Sequence, residues 1–331
     1  MNKLYFSLLL YAAFTQTSVA QVDPHFSQYY TYPQFLNPAL TGFIDGNLRI
    51  NANYRAQWDV ANPMFRTIGI AADMKTKNNI NVGVNVFNLN AGNGIFNTTQ
   101  AMASVAYDGI RFGKDGTQQI SFGVQVGLIN RTLDFTKLQF GDQYSPITGF
   151  DPSKTTAEPR SNKATNNVDL SAGILYSNGN PNSRFNPYIG VSAFHLTEPK
   201  NAFLNATAGK LPMRVNGSAG VRIQVTDMVA LTPHGIGIFQ GNAKEIVAGL
   251  FGDIKVNEQT SVMLGVNHRF EDAVMACAGF QHKGLNLAIS YDINTTKIAS
   301  PFKTGVGEIS LTYIFKSKVT TPNKHFACPR L

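Results

Sequence analysis

The chain has 331 residues, of which only 15% are charged, and a formal net charge of +8. That length admits one large barrel or two soluble domains, and scarce charge with plentiful Gly, Asn and β-branched residues suits a barrel with lipid outside and small polar groups inside. A basic surplus can mark a nucleic-acid binder, but no dense Lys/Arg block or basic helix is present, so nucleic acid is not an expected partner.

Residues 1–20 read as a secretory signal peptide. Lys3 supplies the positive end, 4–14 the apolar stretch, and Ser18-Val19-Ala20 the small-x-small cleavage site. The mature chain is expected to begin at Gln21. No Cys sits at that junction, so a lipid anchor is not expected, and no later apolar run is long enough for a transmembrane helix. An exported chain of this kind is either soluble or a closed β-structure, the remaining way to satisfy the backbone in lipid.

Residues 21–46 are rich in aromatics, Pro and Asn and show no alternation. From there the pattern changes. Leu48, Ile50, Ala52, Tyr54, Ala56 and Trp58 are separated by Arg49, Asn51, Asn53, Arg55 and Gln57. A period of two places one set on each face of a strand, and the strand is about long enough to cross a bilayer at a tilt. Alternating segments follow at 66–74, 79–90, 97–108, 118–130, 167–177, 186–196, 212–225, 228–238, 244–255, 259–269, 273–281, 284–293 and 305–315. In the third, Ile80, Val82, Val84 and Val86 alternate with Asn81, Gly83, Asn85 and Phe87. The total of about fourteen is even, as bacterial single-chain barrels require. The expected fold is therefore all-β: a closed antiparallel transmembrane β-barrel over 47–316 in the outer membrane, contacting its lipid.

Loop lengths test this independently. With both termini in the periplasm, links after even strands should be short, and 75–78, 226–227, 257–258 and 282–283 are. Links after odd strands should be longer, as at 131–166 and 197–211; the 270–272 link is an exception. The 131–166 loop carries Phe140, Tyr144 and Phe150, and long ordered loops are often functional. Trp58 and Tyr291 are placed at the ends of upward strands, and Tyr107, Tyr176, Tyr313 and Phe315 at the ends of downward ones. Two interfacial aromatic girdles result.

Charges on the inner face need partners. Closing the first strand on the last in antiparallel register brings Glu308 near Arg55, and Asp73 on the second strand near Arg49. These four are candidate lumen salt bridges; a permeation filter is the sharper alternative. Residues 317–331 form a polar tail ending in Cys328, Pro329, Arg330 and Leu331, read as a short periplasmic segment and a candidate partner contact. Cys277 and Cys328 are the two cysteines, and their spacing supports neither a zinc site nor a redox motif. The six histidines stand singly, with no HExxH pair, no GxSxG elbow and no Walker loop, so no catalytic set, metal or cofactor is expected.

The start of the mature chain carries the most specific signal. Asp23-Pro24-His25-Phe26-Ser27-Gln28-Tyr29-Tyr30 is followed by Phe35-Leu36-Asn37-Pro38-Ala39-Leu40-Thr41-Gly42 and then by Tyr54-Arg55-Ala56-Gln57-Trp58. This resembles the PorP/SprF family of Bacteroidetes outer-membrane proteins, whose members open with a DPxFSQY…NPAxxG stretch and a YRxQW strand. Tyr30-Thr31-Tyr32-Pro33 and Leu40-Thr41 depart from the usual wording. The resemblance implies a part in type IX secretion and, for some members, gliding motility. The implied partners are a large secreted adhesin or its C-terminal domain, and periplasmic proteins of the secretion ring. On that basis 21–46 is expected to fold into or across the inner mouth as a plug, with Phe26, Ser27, Gln28, Tyr29, Asn37 and Pro38 as candidate plug or partner residues. The alternatives are a diffusion porin or solute channel, separable by conductance, and an outer-membrane lipase, separable by mutating each His.

Overall fold

In a computed structural model, the structure describes residues 23–58, 64–113, 116–157, 163–200, 209–295 and 305–316. Period-two alternation becomes fourteen barrel strands among them: β1 (Leu48–Gln57), β2 (Phe65–Met74), β3 (Ile80–Ala91), β4 (Phe96–Phe112), β5 (Gln118–Leu133), β8 (Lys163–Asn178), β9 (Phe185–Phe194), β10 (Arg214–Gln224), β11 (Val229–Gln240), β12 (Ala243–Asn257), β13 (Thr260–Arg269), β14 (Ala273–His282), β15 (Leu285–Asn294) and β16 (Val306–Phe315). A two-residue-per-strand hairpin, β6 (Tyr144–Ser145) and β7 (Gly149–Phe150), lies in the link between β5 and β8. Each barrel strand pairs antiparallel with its neighbours, and β1 pairs with β16 to close the cylinder.

The two faces differ as the pattern requires. On β3, Val84 is 55% exposed while Asn81 is fully buried. The exposed face carries Ile, Val, Leu and aromatic side chains around the whole barrel, and the buried set is dominated by Asn, Gln, Ser, Thr and charged residues. Apolar outside and polar inside is the arrangement lipid selects.

The barrel has a short-turn end, where 75–79, 225–228, 258–259 and 283–284 connect strands, and a long-loop end, which carries the link from β5 to β8. Residues 47 and 316 lie at the short-turn end, so that end faces the periplasm. Trp58 and Tyr291 mark the long-loop end; Tyr176, Tyr313 and Phe315 mark the other. Tyr107 does not end its strand: after a bulge between Tyr107 and Ile110, β4 continues to Phe112, whose ring stacks on Tyr176 at 6.1 Å. The long link also holds more order than a plain loop, with 3-10 turns at Phe135–Lys137 and Gly141–Gln143 beside its hairpin.

Candidate functional site within the lumen

A cylinder of this size has room inside, and residues 23–47 occupy it. Pro33 and Pro38 keep this segment from forming a long helix. It makes a 3-10 turn at Tyr29–Thr31, a single helical turn α1 (Pro33–Leu36), and another 3-10 turn at Pro38–Leu40. Irregular backbone at membrane depth is tolerated where protein groups satisfy it, and the inward-facing side chains of the strands do so here.

Expected to fold into or across the inner mouth, the segment does not stop there. The segment runs the length of the barrel and begins near the long-loop end, because its polar and charged residues find partners at both ends. Asp23 lies among Arg131, Arg214, Gln240 and His195, all at or beside the long-loop ends of their strands. His195 bridges two carboxylates, with Nε2 2.6 Å from Asp23 and Nδ1 2.8 Å from Asp169. Burial alone would raise the Asp23 carboxyl, but His195, Arg214 and Arg131 hold it well below the usual carboxylate range. Burial likewise disfavours a charged His195, yet Asp23 and Asp169 outweigh it and raise its affinity for a proton. Arg214 is clasped between the rings of Phe35 and Phe194, its guanidinium carbon 4.4 Å from each centroid.

A second cluster follows directly. The backbone amides of Ser27 and Gln28 donate to the two oxygens of Glu308 at 2.8 and 3.1 Å. Arg55 donates to the same carboxylate at 3.2 Å, as its direct register partner across the β1–β16 closure. The Ser27 hydroxyl donates to Asp292 and accepts from Arg55 and Arg269. The Gln28 side chain donates to Ser290 and the Glu308 carbonyl and accepts from Ser310. His25 sits between Arg55 and Glu245. Burial, with the Arg269 and Arg55 cations close by, pushes its pKa well below the usual histidine value. A neutral ring can accept from Arg55 through Nε2 and donate to Glu245 through Nδ1.

Further down, packing and backbone contacts take over. Phe26, Tyr32, Ala71 and Phe87 form a buried cluster with Phe35 and Leu89 against it. The Tyr32 hydroxyl reaches the carbonyls of Val86 and Ile70. Tyr29 packs against a second cluster containing Leu36, Ile236 and Met275. The Asn37 side chain donates to the Ile174 carbonyl at 3.0 Å and accepts from Ala39 N–H at 2.9 Å. Pro38 presses so closely on β5 that a Cβ at Gly123 would collide with its carbonyl, and one at Gly173 would collide with Asn37. These inward glycines mark where the plug backbone meets the wall.

The short-turn end is pinned by the other predicted pair. Arg49 binds both oxygens of Asp73, at 2.8 and 2.7 Å, and donates to the Leu40 carbonyl. Asp73 also accepts from Gly42 N–H at 2.6 Å. Asp45 pairs with Lys316 at 2.7 Å. The structure thus brings Arg55 to Glu308, Arg49 to Asp73, and all six candidate plug residues to the lumen wall. Cys328, Pro329 and Arg330 lie outside the described residues, as do the signal peptide and any pairing with Cys277. Asp23, Asp169, His195, Arg214, Arg269 and Asp292 were not singled out from the sequence. Inward parity on their strands marks Asp169, Arg214, Arg269 and Asp292 as lumen residues, but only the plug's path reveals their partners. Among the described residues no group of three or more His, Cys, Asp or Glu is placed to hold a metal ion.

A family model described as "Type IX secretion system membrane protein PorP/SprF" matches residues 18–313. None of the curated protein sequences compared with the chain matches it. Solved structures similar to it include a "CymD monoaromatic hydrocarbon channel", at 10% identity and TM-score 0.49, with 87% of this chain and 93% of that chain covered. A Pseudomonas aeruginosa FadL homologue has 13% identity and TM-score 0.47 over 89% and 95%. A KdgM porin has 8% identity and TM-score 0.38 over 81% and 99%.

Proposed function

The chain belongs to the PorP/SprF family of type IX secretion system membrane proteins, and from that premise we propose that it is a plugged outer-membrane platform that helps deliver or hold a secreted adhesin at the cell surface. It is an outer-membrane component of that system. The observation that carries the finer reading is the occupied lumen. Residues 23–47 are tied to the wall by Asp23 at one end, by Glu308 through Ser27 and Gln28, and by the Arg49–Asp73–Gly42 contact at the other. A general diffusion porin needs an open bore, and this filling weighs against that alternative.

In this reading the protein performs no catalysis. Its exterior fixes it in lipid, and the long-loop end, with the structured link between β5 and β8, offers the exported partner a surface. The C-terminal domain of a secreted adhesin is the occupant the family resemblance suggests. The tail, with Cys328, Pro329 and Arg330, is the candidate contact for periplasmic ring proteins. The test is co-purification from detergent-solubilised membranes. Deleting 317–331 is expected to reduce recovery of periplasmic partners and leave the heat-modifiable barrel intact. Replacing the 134–162 link with a short turn is expected to reduce recovery of the surface partner. Recovery of neither class with the full-length protein would contradict the platform reading.

A further inference from the structure

Two cavities lie against the same wall of the barrel, one at each end of the plug. The inner one, about 920 Å³, reaches Ala230 on β11, Asp253 on β12, Met263 on β13 and Gly279 on β14. The outer one, about 480 Å³, reaches Ile236, Val247, Arg269 and Met275 on the same four strands. Between these positions each strand offers at most two further inward places: Thr232 and His234, Gly249 and Phe251, Gly265 and Asn267, and Cys277. The cavities are therefore separated by one band of side chains, in which Asn267 and His234 lie over Gly249 and the Phe251 ring lies over Gly265.

Aromatic rings make the band continuous. The Phe251 ring stacks on His234 at 4.3 Å, Tyr30 meets Phe251 edge-on at 4.7 Å, and Tyr29 meets His234 at 5.8 Å. Consecutive plug residues straddle the division, since Tyr29 lines the outer cavity and Tyr30 the inner one. None of these four rings takes part in the ion pairs that pin the plug. Phe251 and His234 sit on strands whose pairing holds the barrel without their side chains. Apolar constrictions close pores by excluding water.

We propose that the barrel carries a passage for water, inorganic ions and small polar solutes beside the plug, closed at its middle by the septum of Tyr29, Tyr30, His234 and Phe251. The two cavities are its vestibules. Each is lined by charges of both signs, Lys244 and Arg269 with Glu245 and Glu271 outside, and Arg222 and Lys255 with Asp253 and Glu258 inside. The passage is therefore weakly selective between cations and anions.

The test is conductance of the full chain in planar bilayers bathed in potassium chloride, for the native protein and for Tyr30→Ala, Phe251→Ala and the double substitution. Heat-modifiable migration identifies the folded variants. Cys277, buried in the band, supplies a second readout: in a Cys328→Ser background, a small water-soluble thiol reagent should label it more readily once the septum is thinned. The expected result is a native protein without resolved steps, and folded septum variants with discrete, weakly selective steps and increased Cys277 labelling. Folded variants as silent as the native protein would overturn the proposal. So would native currents equal to those of the variants, or currents that appear without any gain in Cys277 labelling.

Discussion

Replacing Glu308 with Ala tests how the plug is held. Its carboxylate accepts from the amides of Ser27 and Gln28 and from Arg55, and all of these groups are buried. Each amide left without an acceptor costs about 1–3 kcal/mol, and breaking a buried ion pair costs about 3–5 kcal/mol. These figures describe overlapping interactions and are not summed. The Arg55–Glu308 pair joins β1 to β16 and so bears on closure, whereas the Ser27 and Gln28 amides tie the segment to the wall, so the loss in docking is that of the amides. A docking loss of about 1–3 kcal/mol from an orphaned amide, at about 1.4 kcal/mol per decade, raises the undocked fraction from about fivefold to somewhat over a hundredfold. Hydrogen–deuterium exchange of residues 23–46 in detergent measures this directly. Glu308→Gln, which keeps an acceptor oxygen but not the charge, should fall between native and Ala. Native-like protection of the Ser27 and Gln28 amides in folded Glu308→Ala would refute the reasoning.

Other consequences follow from the same contacts. Gly123→Ala drives a methyl into the Pro38 carbonyl, whereas Gly217→Ala meets open space; only the first should make 33–42 sensitive to protease. The head of the plug is expected to loosen on alkaline titration. The folded-state pKa of Asp23 lies below its ordinary 3.8, so its contribution is present above that pH and lost only as pH falls through the depressed value. His195 is shifted the other way: its contribution is complete below 6.5 and disappears as pH rises through its raised value. Exchange near Asp23, corrected for the intrinsic rise of amide exchange with pH, should therefore be flat between about pH 4 and 6 and should rise as the pH climbs beyond 6.5. Asp23→Asn, by removing one of the two carboxylates on His195, should move that rise to lower pH. On the outer face, Val266 is 60% exposed, and Val266→Arg should weaken folding into lipid vesicles by about 2–4 kcal/mol; no effect would argue against a lipid-facing surface there.

Much of the architecture was legible because a barrel repeats. Alternation such as Leu48 to Trp58 states which side chains face out, and an even count of such runs, with short and long links in turn, states how they close. Once β1 is set against β16, Arg55 and Glu308 fall opposite one another by register. The plug has no such repeat. Nothing in Asp23-Pro24-His25-Phe26 says which end of the barrel it reaches, and the cluster of Asp23, His195, Asp169 and Arg214 exists only because the segment threads the full lumen. The glycines at 123 and 173 were a signal in retrospect: they stand at inward positions, and the plug backbone lies against them. Strand ends are less legible, since the bulge after Tyr107 lets β4 continue to Phe112.

The central claim is a lipid-embedded barrel threaded by its own N-terminal segment, with residue 24 toward the cell exterior and residue 45 toward the periplasm. In a background with Cys277 and Cys328 changed to Ser, single substitutions Pro24→Cys and Asp45→Cys can be probed on intact cells with a membrane-impermeant maleimide. Labelling at position 24 on intact cells, and at position 45 only after the outer membrane is permeabilised, is the predicted result. The reverse order, or equal labelling of both positions from outside, would contradict the account.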